Sequence, residues 1–216
     1  MITVWGRRNS LNVQKAMWAL GELGLDYSRH DVGGSFGGNT NADFDKLNPN
    51  RVVPVIKDGD LMLWESNAIV RYLAARYGQG TLWPDDLAIR ASADRWMDWQ
   101  QNVLYGALGA VFMAISRTPK AEQDPAIIAQ HAAGTAKAFA LLEPFLADND
   151  YVAGNAFTMG DIPIGCCCWR YYSLPIDRPD LPRLKAYYDR LTERPAFQKH
   201  VMFPFGESLE EWTELE

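Results

Sequence analysis

Between Asn48 and Leu73 lies the pattern most suggestive of chemistry. A β-branched run is interrupted by Pro54, an Asp58-Gly59 turn leads to a second apolar run through Leu61 and Leu63, and Glu65-Ser66-Asn67 opens a helical stretch. Asp-Gly between two such runs is a hairpin signal. Proline has no N–H to give to a ladder, so Pro54 belongs at a sheet edge or a strand start, and the backbone of Val53 is left to pair with something else. An extended peptide, lying alongside as one more strand, fits that vacancy.

The other residue types able to do chemistry are arranged less productively. Cys166, Cys167 and Cys168 are consecutive within an apolar segment. Successive helical side chains point about 100° apart, so three such thiols do not converge on one metal, and no distant cysteine is left for a disulfide. Buried packing is their expected role. His30, His131 and His200 stand apart from one another and from any nucleophile pattern, and are read as structural. Neither a metal nor a metal-dependent reaction is expected.

Positioning these residues is the work of two differently patterned halves. Ile2 to Trp5 is a short strand run, followed by a polar loop and an amphipathic helix to about Gly24, whose Val13, Ala16, Met17, Leu20 and Leu23 share one face. A strand over 27 to 32, a glycine-rich loop ending in a short helix, the hairpin and the helix after Ser66 complete the order β-α-β-α-β-β-α. That order predicts a thioredoxin-like α/β domain over residues 1 to 79. Residues 80 to 86 read as a linker, and 87 to 216 as an all-α domain with helices over 87 to about 116, 126 to 146, 161 to 172, 181 to 191 and 196 to 201. Thr158-Met-Gly-Asp161 is a capping-box variant at the start of one of them.

The 216 residues carry 48% hydrophobic and 22% charged side chains and a formal net charge of -6, enough apolar surface for one large or two modest cores. The negative balance and scattered basic residues oppose nucleic acid and anionic membranes as partners. With no apolar run of the roughly 20 residues that span a bilayer and no signal-peptide order at the start, a cytoplasmic location is expected.

Taken in order, Asn9-Ser10-Leu11-Asn12-Val13-Gln14-Lys15, Asn48-Pro49, Val53-Pro54, Glu65-Ser66-Asn67-Ala68-Ile69-Val70-Arg71-Tyr72-Leu73 and the Thr158 to Asp161 box make the whole chain resemble a cytosolic glutathione transferase. The likeness is closest to the small bacterial group whose first helix opens Asn-Ser-x-Asn-Val-x-Lys. It implies glutathione as co-substrate, a small electrophile as second substrate, and a symmetric homodimer.

The resemblance also distributes roles. Val53, before a cis Pro54, offers its backbone to the cysteinyl part of glutathione. Glu65 pairs with the γ-glutamyl ammonium, while the Ser66 hydroxyl and first-turn N–H groups hold the carboxylate. Ser10 donates to the thiolate, with Asn9 and Asn12 competing for that role, and capping the first helix is the structural alternative for Ser10. Arg51 stands where the family often has glycine and is a substitute contact for the glycine carboxylate. Arg7 and Arg8 add positive potential. Arg8, Trp99, Asn102 and Tyr105 are expected in the electrophile pocket, with Phe112, Trp169, Phe203 and Phe205 as further aromatic candidates. The expected activity is attack of the glutathione thiolate on a small hydrophobic or halogenated electrophile. The alternatives are a glutathione-dependent disulfide or peroxide reductase, and a non-catalytic interaction module on the same fold.

Overall fold

The computed structural model describes residues 1–215. Strands β1 (Ile2–Trp5), β2 (Tyr27–His30), β3 (Val55–Asp58) and β4 (Leu61–Trp64) form one sheet in the order β2-β1-β3-β4. Helix α1 (Leu11–Glu22) crosses between β1 and β2, which pair in parallel with Ile2 opposite Tyr27 and Trp5 opposite His30. Antiparallel β3 sets Val4 against Ile56, and the Asp58-Gly59 turn returns the chain as β4. Short α2 (Ala42–Asp45) precedes the hairpin, and α3 (Ser66–Tyr77) follows it. This is a thioredoxin-like domain.

Helices make up the remainder: α4 (Leu87–Trp99), α5 (Tyr105–Ser116), α6 (Pro125–Ala140), α7 (Asp161–Ser173), α8 (Pro182–Thr192), α9 (Pro195–His200) and α10 (Leu209–Leu215). A π-helical turn over Gln100–Leu104 joins α4 to α5. Among the described residues no helix is long and apolar enough to cross a membrane.

Strand β3 starts at Val55, directly after the cis Val53-Pro54 bond, which puts Pro54 at the strand start as expected. Three expectations need correction. Strand β2 ends at His30 instead of 32, because its partner β1 ends at Trp5. Helix α6 stops at Ala140, well short of 146: Leu141 and Leu142 already donate to carbonyls three residues back, and Pro144 follows. Helix α10 was not expected, although its signal is present as Ser208-x-x-Glu211. There the Glu211 N–H meets Ser208 Oγ at 3.3 Å, and the Glu207 N–H meets a Glu211 carboxylate oxygen at 2.9 Å.

One core runs through both domains, with α1 packed against α3 on one side and α7 and α9 on the other. Every residue of α1 from Val13 to Leu20 is buried for that reason. Trp18 is completely enclosed, with Phe197 edge-on at 4.7 Å between centroids, and it leaves no room at Gly165 of α7, where an added Cβ would lie 2.7 Å from its ring. Cys166 to Cys168 are fully buried in the same helix, and burial raises all three thiol pKa values. The box at 158 to 161 has the expected contacts. A carboxylate oxygen of Asp161 accepts the Thr158 N–H at 2.8 Å, and Thr158 Oγ1 accepts the Gly160 N–H at 3.3 Å.

Candidate active site

Strand β1 ends in a sharp turn at Gly6, where φ is +152° and an added Cβ would lie 2.4 Å from Val13 Cγ2. No side chain fits there. The turn delivers Arg7, Arg8, Asn9 and Ser10 to the amino end of α1, where extended backbone at Ser10 (φ −73°, ψ 123°) marks the cap position. The Ser10 hydroxyl makes no capping bond and faces a cavity between the two domains. It is left able to donate outward.

Its neighbours are placed differently. Asn12 also lines the cavity, yet its amide is engaged: Nδ2 donates to the Tyr105 hydroxyl at 3.4 Å and Oδ1 accepts from Ser66 Oγ at 3.2 Å. Asn9 is buried with neither side-chain polar atom partnered, while its carbonyl accepts from Arg170 Nη2 at 2.9 Å. Its side chain is not part of the cavity wall.

On the other side of the α1 terminus stands the start of α3. Glu65 is exposed, with φ at +70°, a conformation that costs a residue bearing a Cβ on the order of 1–3 kcal/mol. Ser66 behind it is buried, at the first turn of the helix. Val53 makes no backbone hydrogen bond among the described residues, so the strand edge beside Pro54 has an open donor and acceptor. Arg51 takes a different direction from the one expected: both Nε and Nη2 grip Asp45, at 2.7 and 2.9 Å, holding that carboxyl below its ordinary pKa. The guanidinium is committed within the loop.

Beneath Ser66 lies a polar cluster that the sequence reading did not single out. Lys15 is fully buried, with Nζ 3.0 Å from Gln100 Oε1, 3.2 Å from Asn67 Oδ1 and 3.4 Å from Ser66 Oγ. All three acceptors are neutral. Burial lowers the ammonium pKa to about 8, against an opposing pull from Glu65. Gln100, in the π turn, also donates to Cys167 Sγ at 3.4 Å, so the helix irregularity faces this cluster. The available signal was Lys15 itself, a lysine within the most apolar stretch of a helix.

The cavity holds about 310 Å³. Leu108, Phe112, Met113 and Trp212 form its apolar wall, and Arg7, Arg117 and Arg170 bring guanidinium groups to it. Of the four residues expected in an electrophile pocket, only Tyr105 is there. Arg8 lies 4.4 Å over the Phe203 ring, in a separate cleft with Tyr27 and His200. Trp99 packs edge-on against Trp96 at 5.2 Å, and Asn102 points to solvent. Asn102 lies within the π turn, and Trp99 immediately precedes it. Trp169 donates to the Phe203 carbonyl at 3.0 Å, and Phe205 packs behind Phe112 at 5.5 Å.

The chain is similar to known proteins over nearly its whole length. The family of glutathione S-transferase N-terminal domains matches residues 1–75, and that of glutathione S-transferase C-terminal domains matches residues 106–195. Glutathione S-transferase GstB of Escherichia coli K12 is 45% identical over 206 residues, covering 94% of this chain and 99% of that protein. Glutathione S-transferase 3 of Zea mays is 32% identical over 207 residues, 93% of each. Among solved structures, a theta-class glutathione S-transferase of Xanthomonas axonopodis pv. citri with glutathione bound superposes with a TM-score of 0.90 at 48% identity, covering 94% of this chain and 98% of that one.

Proposed function

Since the chain belongs to the glutathione S-transferase family, we propose that it binds glutathione along the Val53 edge and directs its thiolate at a small hydrophobic or halogenated electrophile in the cavity between the domains. Residues 1 to 79 supply the tripeptide site, 80 to 86 link, and 87 to 216 supply the electrophile wall. The observation that carries this reading is Ser10 at the amino end of α1, lining that cavity with its hydroxyl unpartnered among the described residues.

A free thiol of pKa about 8.5 is only a few per cent ionised at neutral pH, and lowering it by two units takes about 2.7 kcal/mol of preferential anion stabilisation. A charge-assisted hydrogen bond contributes about 1.5–3 kcal/mol and a helix amino terminus about 0.3–1 kcal/mol, which together suffice. In this reading Ser10 is a hydrogen-bond donor, not a nucleophile. Glu65 pairs with the γ-glutamyl ammonium, while Ser66 and the first N–H groups of α3 hold its carboxylate. Val53 takes the cysteinyl backbone as one more antiparallel strand. The sulfur bonds to the electrophilic carbon, the leaving group departs with its electron pair, and the thiol proton passes to solvent.

All three cysteines are enclosed in α7, so thiol–disulfide exchange would need a second glutathione to supply the second thiol. We place the protein in the cytoplasm, as a homodimer. Calorimetry with reduced glutathione, followed by parallel conjugation and disulfide-reduction assays, tests the proposal. Saturable binding and conjugation are expected; no uptake at millimolar tripeptide would leave only a non-catalytic module.

A further inference from the structure

A second cleft, of about 280 Å³, shares no residue with the cavity beside Ser10. Arg8 of the loop after β1, Tyr27 and Arg29 of β2, and Lys199, His200 and Phe203 in and just after α9 bound it. Three of these side chains are cationic, and no described aspartate or glutamate lines the cleft. Arg29 is already satisfied, its Nη1 donating to the Gly6 carbonyl at 2.9 Å and its charge paired with Asp31. Arg8 and Lys199 are not. Both are exposed, and neither forms an ion pair or a hydrogen bond among the described residues; Arg8 has only the Phe203 ring, 4.4 Å away.

His200 sits between these cations and the core. Only 5% of it is exposed, and its ring meets Tyr27 edge-on at 5.9 Å between centroids. Gly21 of α1 makes the room, since an added Cβ there would lie 2.6 Å from His200 Cδ2. Glycine inside a helix costs stability relative to alanine, so this imidazole is seated at the expense of α1. Neither of its nitrogens has a hydrogen-bond partner among the described residues. Burial and the charge of Lys199 lower its pKa to about 4, leaving it neutral at physiological pH. The acids nearby do not oppose this: Glu22 of α1 is held by Arg194 and Trp18, Asp31 by Arg29, and Asp26 is exposed and outside the cleft wall. Helix α8, which also packs on α9, brings no side chain to the cleft.

We propose that this cleft binds a phosphate dianion, free or as the monoester of a small apolar alcohol, held by Arg8 and Lys199 with His200 as a third donor and Tyr27 and Phe203 against any organic part. A monoanion would leave one of the two unpaired cations uncompensated, and a guanidinium presents the paired donors that a tetrahedral oxyanion accepts. With a dianion in place the field at His200 reverses sign. Its pKa rises, binding takes up a proton, and affinity increases as pH falls from the bound-state pKa toward about 4.

Calorimetric titration of the full-length protein at constant ionic strength tests the site, with inorganic phosphate and phenyl phosphate as probes. Saturable binding at millimolar concentration or below is expected. Arg8→Gln and Lys199→Gln, both at exposed positions, should each weaken it by about fivefold. Arg117→Gln, in the other cavity, should leave it unchanged. Tighter binding of phenyl phosphate identifies a monoester as the ligand, and equal binding identifies free phosphate. Sulfate removes the probe's own titration, because it is a dianion throughout the range used. Its affinity should increase by at least about threefold from pH 8 to pH 5.5 in the native chain and stay level in His200→Gln. Binding lost in Arg117→Gln but kept in Arg8→Gln and Lys199→Gln places the anion elsewhere and overturns the inference. So does the absence of saturable binding at millimolar phosphate, or a sulfate pH dependence that His200→Gln leaves intact. None of these results bears on the transferase reading.

Discussion

Ser10 and Asn12 stand two residues apart at one helix end, yet their surroundings separate them. Asn12 is held between Ser66 and Tyr105, with both ends of its amide occupied, while the Ser10 hydroxyl has no hydrogen-bond partner among the described residues. A donor already used within the fold stabilises an incoming thiolate less than a free one, because the old bond must break first. Ser10→Ala is accordingly expected to raise the pKa of bound glutathione and lower turnover by at least about tenfold, the equivalent of one charge-assisted bond. Thiolate absorbance titration and steady-state kinetics check it. Should Asn12→Ala produce that pair of effects while Ser10→Ala leaves both unchanged, the thiolate donor is Asn12. Lys15 belongs to the same scale: a charge placed under Ser66 with neutral acceptors only, adding positive potential where the γ-glutamyl carboxylate is proposed to sit.

The start of α7 is the element on which the helical domain is hung. Asp161 is fully buried and accepts from the Val152 and Thr158 N–H groups, Thr158 Oγ1 and the Tyr187 hydroxyl. Desolvation nevertheless dominates those hydrogen bonds and raises its pKa to about 6. An aspartate whose folded pKa lies above its unfolded value near 3.9 binds its proton more tightly when folded, so its contribution to stability grows as pH falls from about 6 to about 4 and is flat above and below. Urea unfolding of the native chain and of Asp161→Asn at pH 4.5 and 7.5 isolates this contribution. The variant is expected to be less stable at both, by about 1–3 kcal/mol, with the wider gap at pH 4.5. A gap that narrows on acidification would contradict the assignment.

At the scale of the whole molecule, the main core passes through α1 into both domains, while Val32, Phe44 and Val55 form a smaller cluster of their own in the first domain. The surface is less well closed. Val52, Trp64, Leu87, Ile89 and Val103 are each more than a third exposed. A second copy covering part of that apolar surface would lower its hydration cost. Sedimentation equilibrium at micromolar concentration is expected to return twice the 24.3 kDa of one chain. A monomer across that range rules out the homodimer.

Local pattern is what the sequence by itself determined. Alternation and turn residues specified β1, β3 and β4, helical spacing specified α1, α3 and α7, and the motifs around Ser10, Val53 and Ser66 identified the family, because each depends on neighbours within a few residues. Tertiary structure alone decided what required distant segments to meet. Arg170 and Asn9 are 161 residues apart, Lys15 and Gln100 are 85 apart, and Trp212 sits on a helix whose capping signal gives no hint that it closes the cavity. The engagement of Asn12 by Ser66 and Tyr105, the turning of Arg51 to Asp45 and the packing of Trp99 against Trp96 follow from the same cause. A side chain's chemistry is set by what desolvates it and what it hydrogen-bonds, and for these residues both come from parts of the chain that only folding brings within reach.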